Sequence, residues 1–269
     1  MPAGVEIPGV LGRICASVRS RLAATAESRR GEAFESAVAS ARPRGAAFAA
    51  ALAESPGPNV IAECKRTSPS KGRLREEYDP VAIATAYASG GAAAISVLTE
   101  PEFFEGDLAH LRAVRHAVET PVLRKDFMLD RSQIAEARAA GADAVLLIVA
   151  ALDDRTLRSL LEEADGHGLA ALVEVHDETE LDRAIAAGAT IIGVNNRDLR
   201  SLETDPATAE RLAARIPTGA IAVCESGLRT REDLGRFAAL GYRGFLVGET
   251  LMRSDDPASE LRRLRGEGP

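Results

Sequence analysis

From residue 59 onward the chain repeats one pattern eight times: a short apolar run, a polar loop, and in most cases an alanine-rich amphipathic segment closing on glycine. The runs are NVIAECK (59–65), AAAISVLT (92–99), PVLRKD (121–126), DAVLLIV (143–149), LAALVEV (169–175), TIIGVNN (190–196), AIAVCES (220–226) and RGFLVGE (243–249). Near-continuous apolar runs suit strands of a parallel sheet that helices cover on the outside. The intervening segments, such as DPVAIATAYASGG, ELDRAIAAGA and REDLGRFAALG, carry apolar residues at helical spacing and end on glycines suited to a C-cap. Eight strand–helix units predict a closed (β/α)₈ barrel of the α/β class. A doubly wound open sheet would more often have about six strands and a glycine-rich dinucleotide loop after the first, and that loop is absent.

The whole chain, 1–269, reads as a single domain, with the barrel over 59–265. Residues 10–52 form a helical preface: LGRICASVRSRLAATAES reads as one helix and AAFAAALAE as a shorter one. Such a preface can cap the barrel floor, support the mouth or mediate oligomerisation, and the sequence leaves the three open. The last residues, GEGP, read as frayed.

A net charge of −7 and the lack of a lysine or arginine run argue against nucleic-acid binding, while leaving room for a local cationic pocket. No apolar run reaches 18 residues, and Arg13, Arg19 and Arg21 interrupt the N-terminal segment, so neither a membrane span nor a leader is expected. Cys15, Cys64 and Cys224 show no CxxC spacing and fit reduced thiols in a cytoplasmic protein. His110, His116 and His167 show no ligand spacing, so no metal site is expected; His176, two residues beyond Glu174, reads as a hydrogen-bonded residue near the mouth.

In a barrel of this kind chemistry sits at the C-terminal ends of the strands. The first run ends in Glu63 and Lys65, which share one face because side chains alternate along a strand. Alone, that pair reads as a solvated strand end. The same parity puts Lys125, Glu174, Asn195 and Glu225 inward and Cys64, Val173, Val194 and Cys224 toward the helices, with Arg197 in the loop just beyond the sixth run. Three acids and two lysines at one mouth could set pKa values apart for acid and base work, although a structural ion-pair network would look similar. Ser226-Gly227 after the seventh run and Gly248 at the eighth stand where barrels commonly hold phosphate through main-chain N–H groups. Phe103 and Phe104 suit either a cover over a ring-shaped ligand or plain packing.

The ordered segments IAECKRTSPSKG, SVLTEPEFFEGDL, PVLRKDFMLD, ALVEVHDETEL, IIGVNNRDL, VCESGLRT and GFLVGETLMR resemble indole-3-glycerol phosphate synthases of tryptophan biosynthesis over about residues 10–265. The resemblance implies a carboxy-lyase that works without a cofactor, turning 1-(2-carboxyphenylamino)-1-deoxyribulose 5-phosphate into indole-3-glycerol phosphate, CO₂ and water. It further implies Lys125 as the general acid at the substrate ketone, Lys65 as the partner of the substrate carboxylate and a donor in dehydration, and Glu174 as the base. Glu63 and Glu225 would orient the lysines, while Asn195 and Arg197 would hold the anilino and carboxylate end. Ser68, Ser226, Gly227, Gly248 and the main chain of Glu249 would take the phosphate. Phe103 or Phe104, with Phe127, Leu199 and Leu246, would wall the aromatic ring. Closure of the 66–74 loop would exclude water, and docking to other tryptophan-pathway enzymes stays open. Two departures stand out: Cys64 replaces a larger aliphatic residue at an outward position, and Glu249 replaces a serine, so its carboxylate is expected to turn away from the phosphate. The alternatives are an isomerase resembling phosphoribosylanthranilate isomerase, or a non-catalytic phosphosugar-binding barrel. Glu174 argues against the second, since a binder has no need of it.

Overall fold

In the computed structural model, eight parallel strands close into a barrel, and they correspond one for one to the eight apolar runs. The structure describes residues 9–53, 57–199 and 201–267. The barrel strands are β1 (Asn59–Cys64), β4 (Ala94–Leu98), β5 (Val122–Lys125), β6 (Ala144–Ile148), β7 (Ala170–Val175), β8 (Ile191–Asn195), β9 (Ile221–Glu225) and β10 (Gly244–Val247). Two further strands, β2 (Thr67–Ser68) and β3 (Gly72–Arg73), pair antiparallel as a hairpin within the 66–74 loop. The barrel closes between β1 and β10, with Asn59 opposite Gly244 and Ala62 opposite Val247.

Thirteen helices are described: α1 (Gly9–Ala24), α2 (Glu32–Ser40), α3 (Gly45–Ala53), α4 (Pro80–Ser89), α5 (Pro101–Phe104), α6 (Leu108–Ala117), α7 (Arg131–Ala139), α8 (Asp154–Gly166), α9 (Glu178–Ala187), α10 (Ala207–Ala213), α11 (Arg231–Ala239), α12 (Glu249–Met252) and α13 (Pro257–Arg265). Local chemistry sets where most of them begin. Asp79, Asp107, Asp130, Asp153, Asp177, Thr230 and Asp256 each accept a main-chain N–H from the first turn of the helix they precede, which stabilises each helix by about 1 kcal/mol. Gly188, past the end of α9, takes the left-handed φ of 89° that L side chains disfavour.

The preface contains three α-helices rather than two. The first stops at Ala24, where the Thr25 hydroxyl donates to the Arg21 carbonyl (2.7 Å), and α2 follows over a stretch not expected to be helical. α3 seals the floor: Phe48 and Leu52 are fully buried, and Gly45 lies so close to the Gly168–Ala170 backbone that a Cβ there would come within 2.6 Å of the Ala170 nitrogen. Asp143 fastens this end, accepting from the main-chain N–H of Arg44 (2.8 Å) and of Val122 (2.9 Å) and from Arg115 Nη1 (2.8 Å). At the opposite end Leu11 and Ile14 of α1 reach the barrel mouth. Among the described residues no helix is long and apolar enough to cross a membrane.

Candidate active site

The mouth opens into a cavity of about 1010 Å³. Glu63, Lys65, Lys125, Glu174, Asn195 and Glu225 all border it, as inward parity requires, whereas Cys64, Val173, Val194 and Cys224 are fully buried. Burial pushes the Cys64 and Cys224 thiols up, the latter to about 12, so both stay protonated.

The charges at the mouth form two linked groups. Lys65 Nζ donates to Glu63 Oε1. Lys125 Nζ, carried on β5, reaches across the barrel to Glu225 Oε2 (2.8 Å) on β9 and Glu174 Oε2 (3.2 Å) on β7. Burial works against the Lys125 charge, but Glu225, Glu174 and Glu63 outweigh it and hold the ammonium well above the ordinary lysine range. Burial, with Glu174 and Glu63 nearby, pushes Glu225 up to about 7 in spite of Lys125. Glu174 moves the other way: burial would raise it, but Lys125 and His176 hold it well below the usual carboxylate range. Two carboxylates against one lysine are thus driven to opposite protonation tendencies.

Two glycines, Gly193 within β8 and Gly248 just past β10, make room for these acids. A Cβ on Gly193 would stand 2.2 Å from Glu225 Oε1, and one on Gly248 would stand 2.4 Å from Glu63 Oε1. Both are places where a carboxylate lies directly on the backbone.

The turn after β9 is strained, with Ser226 at φ 67° and Gly227 at φ 81°. Ser226 Oγ donates to Asn195 Oδ1 (2.8 Å), which also accepts the Arg197 main-chain N–H (3.0 Å), so one amide oxygen fixes both loops. Arg197 is steadied by its Nη1, which donates to the Leu202 carbonyl (2.7 Å). Lys71, Arg229 and Arg253 also border the cavity and supply cations that the sequence reading left unassigned.

Of the remaining expected residues, Ser68, Arg197, Ser226, Gly227, Gly248, Phe104, Phe127, Leu199 and Leu246 border the cavity, and the Phe104 and Phe127 ring centroids lie 6.0 Å apart. Phe103 does not border it and packs against the core. Glu249 was expected to turn away; instead its carboxylate stays at the rim, compensated by Arg253 Nε (3.3 Å) and Lys71 Nζ (3.9 Å).

Beside the cavity, which Asp126 itself borders, lies a second charge system. Arg124 and Asp126, which flank Lys125, form a buried ion pair (3.0 Å), and Asp126 Oδ2 also accepts from Thr99 Oγ1 (2.7 Å). Glu136 Oε2 meets Arg124 Nη1 at 2.9 Å. From α1, Arg21 reaches Glu100 (3.3 Å) and Asp126 (4.0 Å).

Residues 11–264 match the family model for indole-3-glycerol phosphate synthase. The chain belongs to the indole-3-glycerol phosphate synthase family. An indole-3-glycerol phosphate synthase of Rhodococcus opacus is 50% identical over 259 residues, covering 96% of each chain, and one of Nocardioides sp. is 56% identical over 210 residues, covering 78% of this chain and 81% of that one. Among solved structures, 3-hexulose-6-phosphate synthase from Salmonella typhimurium superposes with a TM-score of 0.63 at 18% identity over 77% of this chain and 97% of that one, a likeness of fold alone.

Proposed function

We propose that this chain catalyses the reaction named by its family, ring closure of 1-(2-carboxyphenylamino)-1-deoxyribulose 5-phosphate with loss of CO₂ and water, in tryptophan biosynthesis in the cytoplasm. The observation that carries this reading is the convergence of Lys65, Lys125, Glu63, Glu174 and Glu225 in one cavity that has an apolar wall on one side and cation-flanked small-residue turns on the other.

The substrate carries two anionic ends and an aromatic ring. The phosphate dianion fits against Ser226-Gly227, Gly248 and Ser68, where Lys71, Arg229 and Arg253 offset the Glu249 carboxylate. The ring fits between Phe104, Phe127, Leu199 and Leu246, with Leu11 and Ile14 of α1 closing the wall. Its carboxylate meets Lys65 and Arg197. Lys125 gives its proton to the ketone oxygen as the ring carbon attacks the carbonyl carbon, and the bond to the carboxylate then breaks, releasing CO₂ and restoring aromaticity. In the dehydration Lys65 protonates the departing hydroxyl while Glu174 takes the proton that completes the indole double bond. Glu63 and Glu225 orient the two lysines. An apolar wall beside the carboxylate favours its loss as neutral CO₂.

Lys125→Ala tests the assignment. Loss of a general acid should lower kcat by about 10²–10⁴-fold, followed by indole fluorescence. Turnover within a few-fold of the native protein would sink the acid role.

A further inference from the structure

His176 stands one residue beyond β7 and does not border the cavity, yet it touches the carboxylate that does. Its Nε2 lies 3.3 Å from Glu174 Oε1, an ionic contact without hydrogen-bond alignment. On the other side its Nδ1 lies 2.9 Å from Glu180 Oε2, and the same oxygen accepts the His176 main-chain N–H (2.8 Å). Glu180 is itself fixed at the start of α9, where its N–H donates to the capping Asp177 (2.8 Å). The ring is therefore clamped between two carboxylates. A neutral imidazole can donate to only one of them and leaves a lone pair on the side of the other, whereas an imidazolium carries an N–H on both sides. The charged groups facing this cluster are Lys125 from β5, Glu225 from β9, Glu63 from β1 and Glu180 from α9.

We propose that His176 is a positioning residue: as an imidazolium held by Glu180, it fixes Glu174 Oε1 so that Oε2 faces Lys125 and the cavity, and it keeps Glu174 ionised once Lys125 has given up its proton. This rests on the reading of Glu174 as the base. The division of labour follows from the geometry. In the resting site Glu174 has two cationic neighbours, one at each oxygen, and protonation of the ketone removes the Lys125 charge. The His176 charge, which takes no part in proton transfer, remains, so the base does not recapture a proton before the dehydration step. The ring's own protonation is consistent with this: burial works against its charge, but contacts with Glu174 and Glu180 outweigh it and push its pKa up to about 10.

The test pairs a spectroscopic readout with kinetics. Nitrogen-15 NMR of histidine-labelled protein, with His176 assigned among the four histidines by its loss in His176→Gln, should show both ring nitrogens protonated at pH 8, where a free imidazole is neutral. His176→Gln keeps a donor near Nε2 but not the charge. It should move the acid limb of kcat up by about 1–3 pH units, the usual reach of a close opposite charge, with KM within about twofold, so that the loss of kcat against native grows as pH falls. Glu180→Gln should shift the ring's titration down and lower kcat less, and it serves as the second variant if His176→Gln folds poorly. A neutral ring at pH 8, or a native kcat and pH profile in a folded variant even with lowered thermal stability, overturns the proposal. Glu174→Gln assayed in parallel separates the two readings: native turnover there removes the base assignment, while the ring's protonation still answers for His176.

Discussion

Replacing Gly193 by alanine tests whether the carboxylate cluster, rather than the fold around it, determines turnover. The new methyl carbon would lie 2.2 Å from Glu225 Oε1 and 3.1 Å from Leu172 Cδ1. Leu172 has only a few tenths of an ångström to give, so the stability cost stays near 1 kcal/mol, a typical figure for a single substitution. Glu225 must move further: reaching ordinary contact at about 3.4 Å displaces its oxygen by roughly 1 Å, which disturbs the 2.8 Å bond from Lys125. A misplacement of about 1 Å in a positioned catalytic group costs on the order of 10²-fold in rate. We therefore expect Gly193→Ala to lower kcat about 100-fold, with a melting temperature within about 4 °C of native. In a Glu225→Ala background the same substitution should cost almost nothing more, because the group it displaces is gone. An equal loss in both backgrounds, or native turnover in the single variant, would refute the reasoning.

Two stability predictions concern opposite ends of the barrel. Asp143→Ala should leave three donors at the floor without their acceptor and cost about 3 kcal/mol, roughly 6–10 °C in melting temperature, with kcat and KM unchanged because the mouth is untouched; a parallel loss of activity would contradict this. His176 is charged in the folded state up to about pH 10 and in the unfolded chain only up to about pH 6.5. Its stabilisation is therefore full below pH 6.5 and is lost as pH rises through 10, by at most about 1.4 kcal/mol per unit. Denaturant melts of the native protein and His176→Gln should converge between pH 6 and pH 10, and a constant gap would count against the charge.

The barrel was readable because each strand is buried on both faces and so must be continuously apolar. β1 and β6 lie within their expected runs, the excess being a residue at one or both ends where pairing stops. The site was readable for a related reason: alternation leaves Glu63, Lys125, Glu174 and Glu225 on the inner face, where charge is costly unless it serves a site or a paired network. The second helix was not. α2 begins after Gly31, with no capping side chain, and buries none of its residues fully; contacts with α7 hold it, including Arg138 Nε donating to the Val38 carbonyl (2.8 Å). Phe103 and Phe104 look equivalent in sequence, but neighbouring residues of a helix project about 100° apart, so only Phe104 reaches the ligand space. The rim pairing of Glu249 with Lys71 joins residues far apart in the chain, and linear spacing carries no trace of it.

Arg124, Lys125 and Asp126 make one strand end serve two hydrogen-bonded systems with different partners. Lys125 answers to the acids inside the barrel, while Arg124 and Asp126 answer to each other, to Thr99 and to Glu136, although Asp126 also borders the cavity. The backbone of β5 thus separates two sets of hydrogen bonds. A substitution that keeps the charge of Arg124 and Asp126 can alter how firmly the scaffold holds, whereas one that removes a charge there also alters the potential felt by the neighbouring Lys125, so that durability and chemistry are tied together where their residues are nearest neighbours.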